Sequence, residues 1–467
     1  MKKNKLASFL LTAVILLCAN GLYFDRLIKV TFFTDVPQWN AVRVSYTADG
    51  KTQNVRNVIK GGGRGTLRIY AENLAAVKFD LPDGKKMTSL KIEGRQKISP
   101  AIPSDYDVRD LAVQGRVHFD LKFFLLFAFM TYGMVYTLVS KKKLYDVSVP
   151  KLKNVEFLRL LFTFCIVAHH MTPVVDFFNE GWLGVEFFFI LSGFFLMITF
   201  NSERTGGEFV QSKIAHFIPL TVLAAVFNAK FALIPANMLF LQGTGLAAAV
   251  PPQGWYLGVL FWVTLFYFYI LKTFRPEISK LIIAVLTFLA YGAFKNNWSN
   301  ALISFQMIRG IAGIGLGYFL GCLWKSENAK GEYQGKTMPY TIAEMLILPY
   351  SIGLMFVKPL YPDNKIFAVI SFAALIVLFV LKRGAVSRFF EKPVLAKISC
   401  CSFAIYMTHE NLVRNIAFGI MDKYPAIAND FKGVLVFSTL LLSYGLGVLV
   451  WKYAEAPAAR WLKSKMN

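Results

Sequence analysis

The stretch 155–173, VEFLRLLFTFCIVAHHMTP, is apolar except for Glu156, Arg159, His169 and His170. Ionisable groups in such a stretch are costly and usually face a protein interior or a wet cavity. Arg159 and His170 are eleven positions apart, which on a helix puts them within roughly 20° of one face and about 16 Å apart along the axis. They cannot touch, but they can line one path with a cation at one end and an imidazole at the other. His169 points about 80° away from that face. Glu156, three positions before Arg159, can pair with it. An imidazole titrates near neutral pH and is the side chain best suited to take a proton from a hydroxyl. A guanidinium can hold a phosphate or a carboxylate. The bland alternatives are an arginine reaching for the membrane interface and packed histidines with satisfied hydrogen bonds.

Other chemistry-bearing residues lie in apolar surroundings further along. Glu186 and Ser192 share one run, as a carboxylate for pairing or orienting and a hydroxyl that is either a nucleophile or a small packing residue. Tyr406 and His409, three apart, share a helix face as polar lining or packing. Trp255 reads as a substrate contact or an interfacial aromatic. Arg309 heads a glycine-interrupted helix and is suited to a membrane carboxylate or to substrate. The five cysteines have no metal-ligand spacing and read as buried apolar residues. No metal site, P-loop or dinucleotide fingerprint is expected.

The elements that must position these residues follow from composition. The 467 residues are 55% hydrophobic and only 17% charged, and mean hydropathy is +0.48. Soluble chains carry about 25% charged residues, so the chain reads as a mainly α, polytopic membrane protein. Twelve spans are expected: 6–23, 120–139, and then 155–173, 184–200, 214–230, 254–271, 281–295, 304–324, 339–357, 365–381, 396–416 and 433–451. The organisation is an N-terminal anchor (1–23), an extracytoplasmic β-rich domain (24–118), a second span (119–140), a basic linker (141–154) and a ten-helix unit (155–467). Candidate strands are 28–34, 42–48, 66–71, 76–81 and 87–93, alternating and broken by Asp49-Gly50, Gly61-Gly62-Gly63 and Asp83-Gly84.

The net charge of +23 admits nucleic acid, positive-inside loops or an anionic surface partner. Alternate connections carry the excess, as at Lys141-Lys142-Lys143, Lys272/Arg275/Lys280 and Lys382/Arg383/Arg388/Lys392. That is the positive-inside pattern with both termini cytoplasmic, and no nucleic-acid partner is needed.

The stretch EFLRLLFTFCIVAHH resembles the first membrane helix of the membrane-bound acyltransferase-3 family, in which an acidic residue and an arginine precede a histidine: here Glu156, Arg159 and His170. Gly184-Val185-Glu186-Phe187-Phe188-Phe189-Ile190-Leu191-Ser192-Gly193-Phe194 is similar to that family's acidic, Phe-rich Leu-Ser-Gly-Phe segment. Trp255-Tyr256-Leu257, Arg309-Gly310 with Gly317 and Gly321, Ser399 with Tyr406 and His409, and Tyr453/Glu455/Pro457/Arg460 follow in the family's order. The resemblance covers about 154–462. At the third helix of the family-like unit, the family's arginines are replaced by Lys213 and His216 ahead of Phe217-Ile218-Pro219.

The resemblance implies an enzyme of the bacterial inner membrane. It would move an acyl group, acetyl foremost, from cytosolic acyl-CoA to a hydroxyl of a cell-surface polysaccharide, lipopolysaccharide or glycolipid. His170 would be the base, supported by Arg159 and Glu156. Lys213, His216, Trp255 and Arg309 are the donor or substrate contacts, and no bound cofactor is expected. The expected partners are the bilayer, the envelope acceptor and acyl-CoA. The competing reading is a transporter or flippase, against which no paired half-repeats with interrupted helices are visible.

Overall fold

The computed structural model describes residues 27–37, 41–48, 50–59, 63–70, 74–93, 110–114, 152–172, 178–228, 233–244, 249–296, 303–329, 335–356, 364–424 and 431–466. The expected spans 6–23 and 120–139 and nearly all of the basic linker lie outside these. The chain divides into two compact units, 1–139 and 140–467.

Among the described residues the first unit holds seven strands: β1 (Leu27–Thr34), β2 (Ala41–Ala48), β3 (Lys51–Val58), β4 (Arg64–Tyr70), β5 (Leu74–Asp80), β6 (Met87–Glu93) and β7 (Asp110–Gln114). One sheet runs β4-β1-β6-β7 and the other β3-β2-β5. Alternation explains the packing. Ile28, Val30 and Phe32 of β1, Val42 and Val44 of β2, Val77 and Phe79 of β5, and Leu90 and Ile92 of β6 all point into one core. Phe32 meets Phe79 at 4.7 Å between ring centroids. β2 and β3 pair from Ala48↔Lys51 around Asp49-Gly50, with Gly50 at φ +71°, the left-handed geometry that a two-residue hairpin requires. β3 and β7 are additions to the expected strands. The sequence of β3, KTQNVRNV, has no apolar alternation, because its place on a sheet edge needs little burial.

The second unit is helical: α1 (Lys153–His170), α2 (Gly184–Ile198), α3 (Gly206–Phe227), α4 (Ile234–Met238), α5 (Trp255–Thr273), α6 (Pro276–Lys295), α7 (Phe305–Asn328), α8 (Met338–Phe356), α9 (Asn364–Leu381), α10 (Ala385–Phe389), α11 (Pro393–Ser399), α12 (Ser402–Leu412), α13 (Gly419–Lys423), α14 (Lys432–Val450) and α15 (Ala456–Met466). Among the described residues, seven helical stretches are long and apolar enough to cross a membrane by length and composition. α1 is not among them, because Lys153, Glu156 and Arg159 crowd its eighteen residues.

Three elements differ from the expectation. The stretch 396–416 is not one helix, since a turn at Cys400–Cys401 separates α11 from α12 and a π-helical turn (Val413–Phe418) follows. A second π turn, Trp451–Glu455, extends α14. Such turns re-aim side chains and often mark functional positions. Helix α3 starts at Gly206, earlier than expected, because Thr205 and Glu208 form a reciprocal capping box.

Helices α2 and α7 approach through glycine. A Cβ on Gly317 would sit 1.8 Å from the Ile190 carbonyl oxygen, and one on Gly193 would sit 1.9 Å from that of Ile314. Gly313, Gly317 and Gly321 repeat every four residues on one face of α7, the small-residue pattern that lets helix backbones touch without a hydrophobic drive from lipid.

Candidate active site

Helix α1 packs on α12 and the following π turn through Val167, Met171, Ile405 and Val413. This brings the end of α1 against His409 and Glu410. His170 Nδ1 lies 2.9 Å from Glu410 Oε2, and the rings of His170 and His409 are 5.0 Å apart. His409 is fully buried, with its Nδ1 3.2 Å from the Ile405 carbonyl oxygen. A carbonyl only accepts, so that nitrogen carries the proton. Nε2 of His409 has no hydrogen-bond partner among the described residues. The donor atoms of His170, His409 and Glu410 all lie within 4.8 Å of one another.

Glu410 was not singled out from the sequence. Its signal was available: a carboxylate beside a histidine in an apolar stretch, both needing a partner. What was missing was the α1–α12 contact that supplies one. His169 turns away as the helix geometry requires, with its Nδ1 2.9 Å from the Phe178 carbonyl oxygen.

At the other end of α1, Arg159 donates to Glu156 Oε2 at 2.8 Å. Its charge also reaches the Tyr256 hydroxyl and Glu455, which is 6% exposed at the end of the second π turn. Polar rings step from this end to the other. Tyr256 and Tyr406 are 5.7 Å apart, Tyr406 and His409 6.0 Å, and His409 and His170 5.0 Å. Tyr406 donates to the Gln253 carbonyl at 2.8 Å, and the Gln253 amide donates back to the Tyr406 carbonyl at 3.2 Å. This closed exchange locks α12 to the turn before α5. Ser192 donates to the Phe188 carbonyl at 2.7 Å and lies 3.4 Å from the Tyr256 hydroxyl. No histidine is among its partners in the described residues.

Glu186, Arg309 and Trp255 form a separate group. The glycine contact of α2 with α7 brings Arg309 Nε to 2.5 Å from Glu186 Oε1, and Arg309 also donates to the Trp182 carbonyl at 3.2 Å. The guanidinium lies 4.9 Å from the ring centroids of both Trp182 and Trp255. Glu186 is 0% exposed and Arg309 6%. A buried pair with its cation between two indoles is a rigid tie between helices.

Lys213 lies over the rings of Phe209 and Phe217 at 5.4 and 5.7 Å. Beside it stands a residue the sequence reading passed over. Arg204, 8% exposed, donates to Ser212 Oγ and to the Glu208 carbonyl, while its Nε has no partner among the described residues. Burial lowers the Arg204 pKa, opposed by the charge of Glu208. The Glu208 carboxylate itself is turned to the Thr205 amide at 2.7 Å. Arg204 and Lys213 thus share the Phe209 ring, at 5.3 and 5.4 Å from its centroid. His216 is exposed and stacks on Phe403 at 5.3 Å.

The helical unit thus holds a histidine–carboxylate pair at one end of a line of polar rings. Residues 152–464 match the acyltransferase-3 family profile, described as an acyltransferase domain. The chain belongs to this family and is a membrane acyltransferase. No curated protein and no solved structure matches it.

Proposed function

We propose that the protein transfers an acyl group, acetyl foremost, from cytosolic acyl-CoA to a hydroxyl of an envelope polysaccharide, lipopolysaccharide or glycolipid at the bacterial inner membrane. The observation that carries this reading is the 2.9 Å approach of His170 Nδ1 to Glu410. The negative charge of the carboxylate at that distance favours the tautomer with the proton on Nδ1, which leaves the Nε2 lone pair for the acceptor hydroxyl. The hydroxyl oxygen attacks the thioester carbonyl carbon as its proton passes to His170 Nε2. The tetrahedral adduct then expels the CoA sulfur, and His170 returns the proton to it.

In this scheme the donor phosphates sit against Arg204 and Lys213, where positive charge exceeds negative. Arg159 is already partnered by Glu156 and lies in the field of Glu455, so its role is to hold the inner end of the path rather than to clamp a phosphate. The Glu186–Arg309–Trp255 group keeps α2 and α7 in register. The arrangement has twelve spans with both termini cytoplasmic, and the β-rich unit at 24–118 lies outside the cytoplasm, where it presents the acceptor.

The test is mass and proton NMR analysis of surface glycans from wild-type, deletion and His170→Ala strains. An ester present in the first and missing from the other two, with the variant protein inserted at wild-type level, supports the reading and names the group and acceptor. Identical glycans in all three sink the glycan acceptor. Movement of a glycolipid without acyl-CoA would favour a flippase.

A further inference from the structure

The group at the end of α1 has a second property that general-base chemistry does not use. Nδ1 of His409 is committed to the Ile405 carbonyl, so its Nε2 carries a lone pair. That nitrogen is fully buried and has no hydrogen-bond partner among the described residues. A buried acceptor left without a donor costs free energy unless something fills the site. Around it stand a second imidazole and a carboxylate, with all three donor atoms within 4.8 Å of one another.

We propose that His170, His409 and Glu410 form a transition-metal site that takes an ion of the Zn²⁺ class, and that filling it and using His170 as a base exclude one another. Two imidazoles and one carboxylate are a donor set that zinc accepts in three-ligand sites with an open fourth position. Donors at about 2.1 Å from one ion stand about 3.3 Å apart in a tetrahedron, so small side-chain movements complete the site. The 2.9 Å separation of His170 Nδ1 and Glu410 is already close to that spacing. The hydrogen bond from His409 Nδ1 to a backbone carbonyl is the outer partner that orients a ligating imidazole and fixes its tautomer. The side chain of His170 is 29% exposed, which gives the ion an entry path. An ion on these atoms would withdraw Glu410 from His170 and occupy an imidazole lone pair. The metal site stands on geometry alone, and the exclusion rests on the proposed role of His170.

The experiment uses the full-length chain purified in detergent and stripped with a chelator. Co²⁺ is the spectroscopic probe and Zn²⁺ the competitor. The expected result is one Co²⁺ per chain with a visible absorption band that Zn²⁺ abolishes, and affinity at least about tenfold weaker in each of His170→Gln, His409→Gln and Glu410→Gln. His169→Gln, anchored elsewhere, keeps the band. Three independent ligand variants, each checked for monodispersity, leave the test intact if one fails to fold. Wild type that binds no stoichiometric metal, or a band that survives in the folded ligand variants, overturns the site. If the metal binds but Zn²⁺ leaves acyl transfer unchanged, the exclusion falls and the site stands. If His170→Ala also keeps acyl transfer, the fault lies in the proposed base.

Discussion

His170 of α1 and Glu410 of α12 meet at 2.9 Å, joining the first and one of the last helices of the family-matched region in one polar contact. The carboxylate is buried and the imidazole half-exposed, so the pair has one sheltered and one accessible side. A base needs the second and a fixed tautomer needs the first.

Glu410→Gln keeps the shape and removes the charge that orients His170. Acyl transfer should fall about tenfold to a hundredfold, and by about a hundredfold or more in His170→Ala. Initial rates in washed membranes at saturating acyl-CoA, normalised to protein, give the comparison. Glu410→Gln at wild-type rate would remove the carboxylate from the mechanism.

Arg204→Ala and Lys213→Ala should act on donor binding rather than on the chemical step. Loss of one charged contact to a phosphate predicts a KM for acyl-CoA about tenfold higher with kcat largely kept. A fall in kcat at unchanged KM would place these cations elsewhere in the mechanism.

Glu186→Gln strands Arg309 in a buried site, and Arg309→Met strands Glu186. Each should destabilise the membrane unit by about 3–5 kcal/mol, and the double variant by less than the sum. Thermal unfolding in detergent reads the difference. Additive losses would mean that the two residues act independently.

Gly193→Ala and Gly317→Ala each place a carbon less than 2 Å from a backbone oxygen of the facing helix. Both should lower the melting temperature sharply. Gly292→Ala, with nothing within 4 Å of the added carbon, should leave it unchanged or raise it slightly. Equal behaviour of the three would contradict the close α2–α7 approach.

In the β unit, Glu93 is buried with Lys91 at 3.0 Å and Lys29 at 3.3 Å. Desolvation raises its pKa, but the two ammonium groups outweigh it and the net shift is downward. A carboxyl depressed on folding adds stability above its unfolded pKa and loses it as pH falls through the folded value. Protection factors for amide exchange in β1 and β6 of the full chain, corrected for the intrinsic pH dependence of exchange, should therefore fall on acidification below about pH 4.5, and Glu93→Gln should flatten that dependence. An unchanged profile in Glu93→Gln would assign the acid sensitivity to another group.

The sequence by itself determined the class of protein and most of its elements. Long apolar stretches and a low charge content specify membrane helices. The alternation in β1, β2, β5 and β6 specifies half-buried strands. The spacing of Glu156, Arg159 and His170 placed all three on one helix, because helical period is a local property. The separation of His169 from His170 followed from the same geometry. The polar edge strand β3 was hidden because hydrogen bonding to β2, not burial, makes it a strand.

Partnership was beyond its reach. That His170 meets Glu410 and that Arg309 lies against both Trp182 and Trp255 depend on which helix faces touch. Those contacts are set by the glycine stripe of α7, by the turn at Cys400–Cys401 and by the π turn after α12. Each lies far along the chain from at least one residue it positions, so no local pattern carries the pairing. Only the folded backbone brings these donors and acceptors within hydrogen-bond distance.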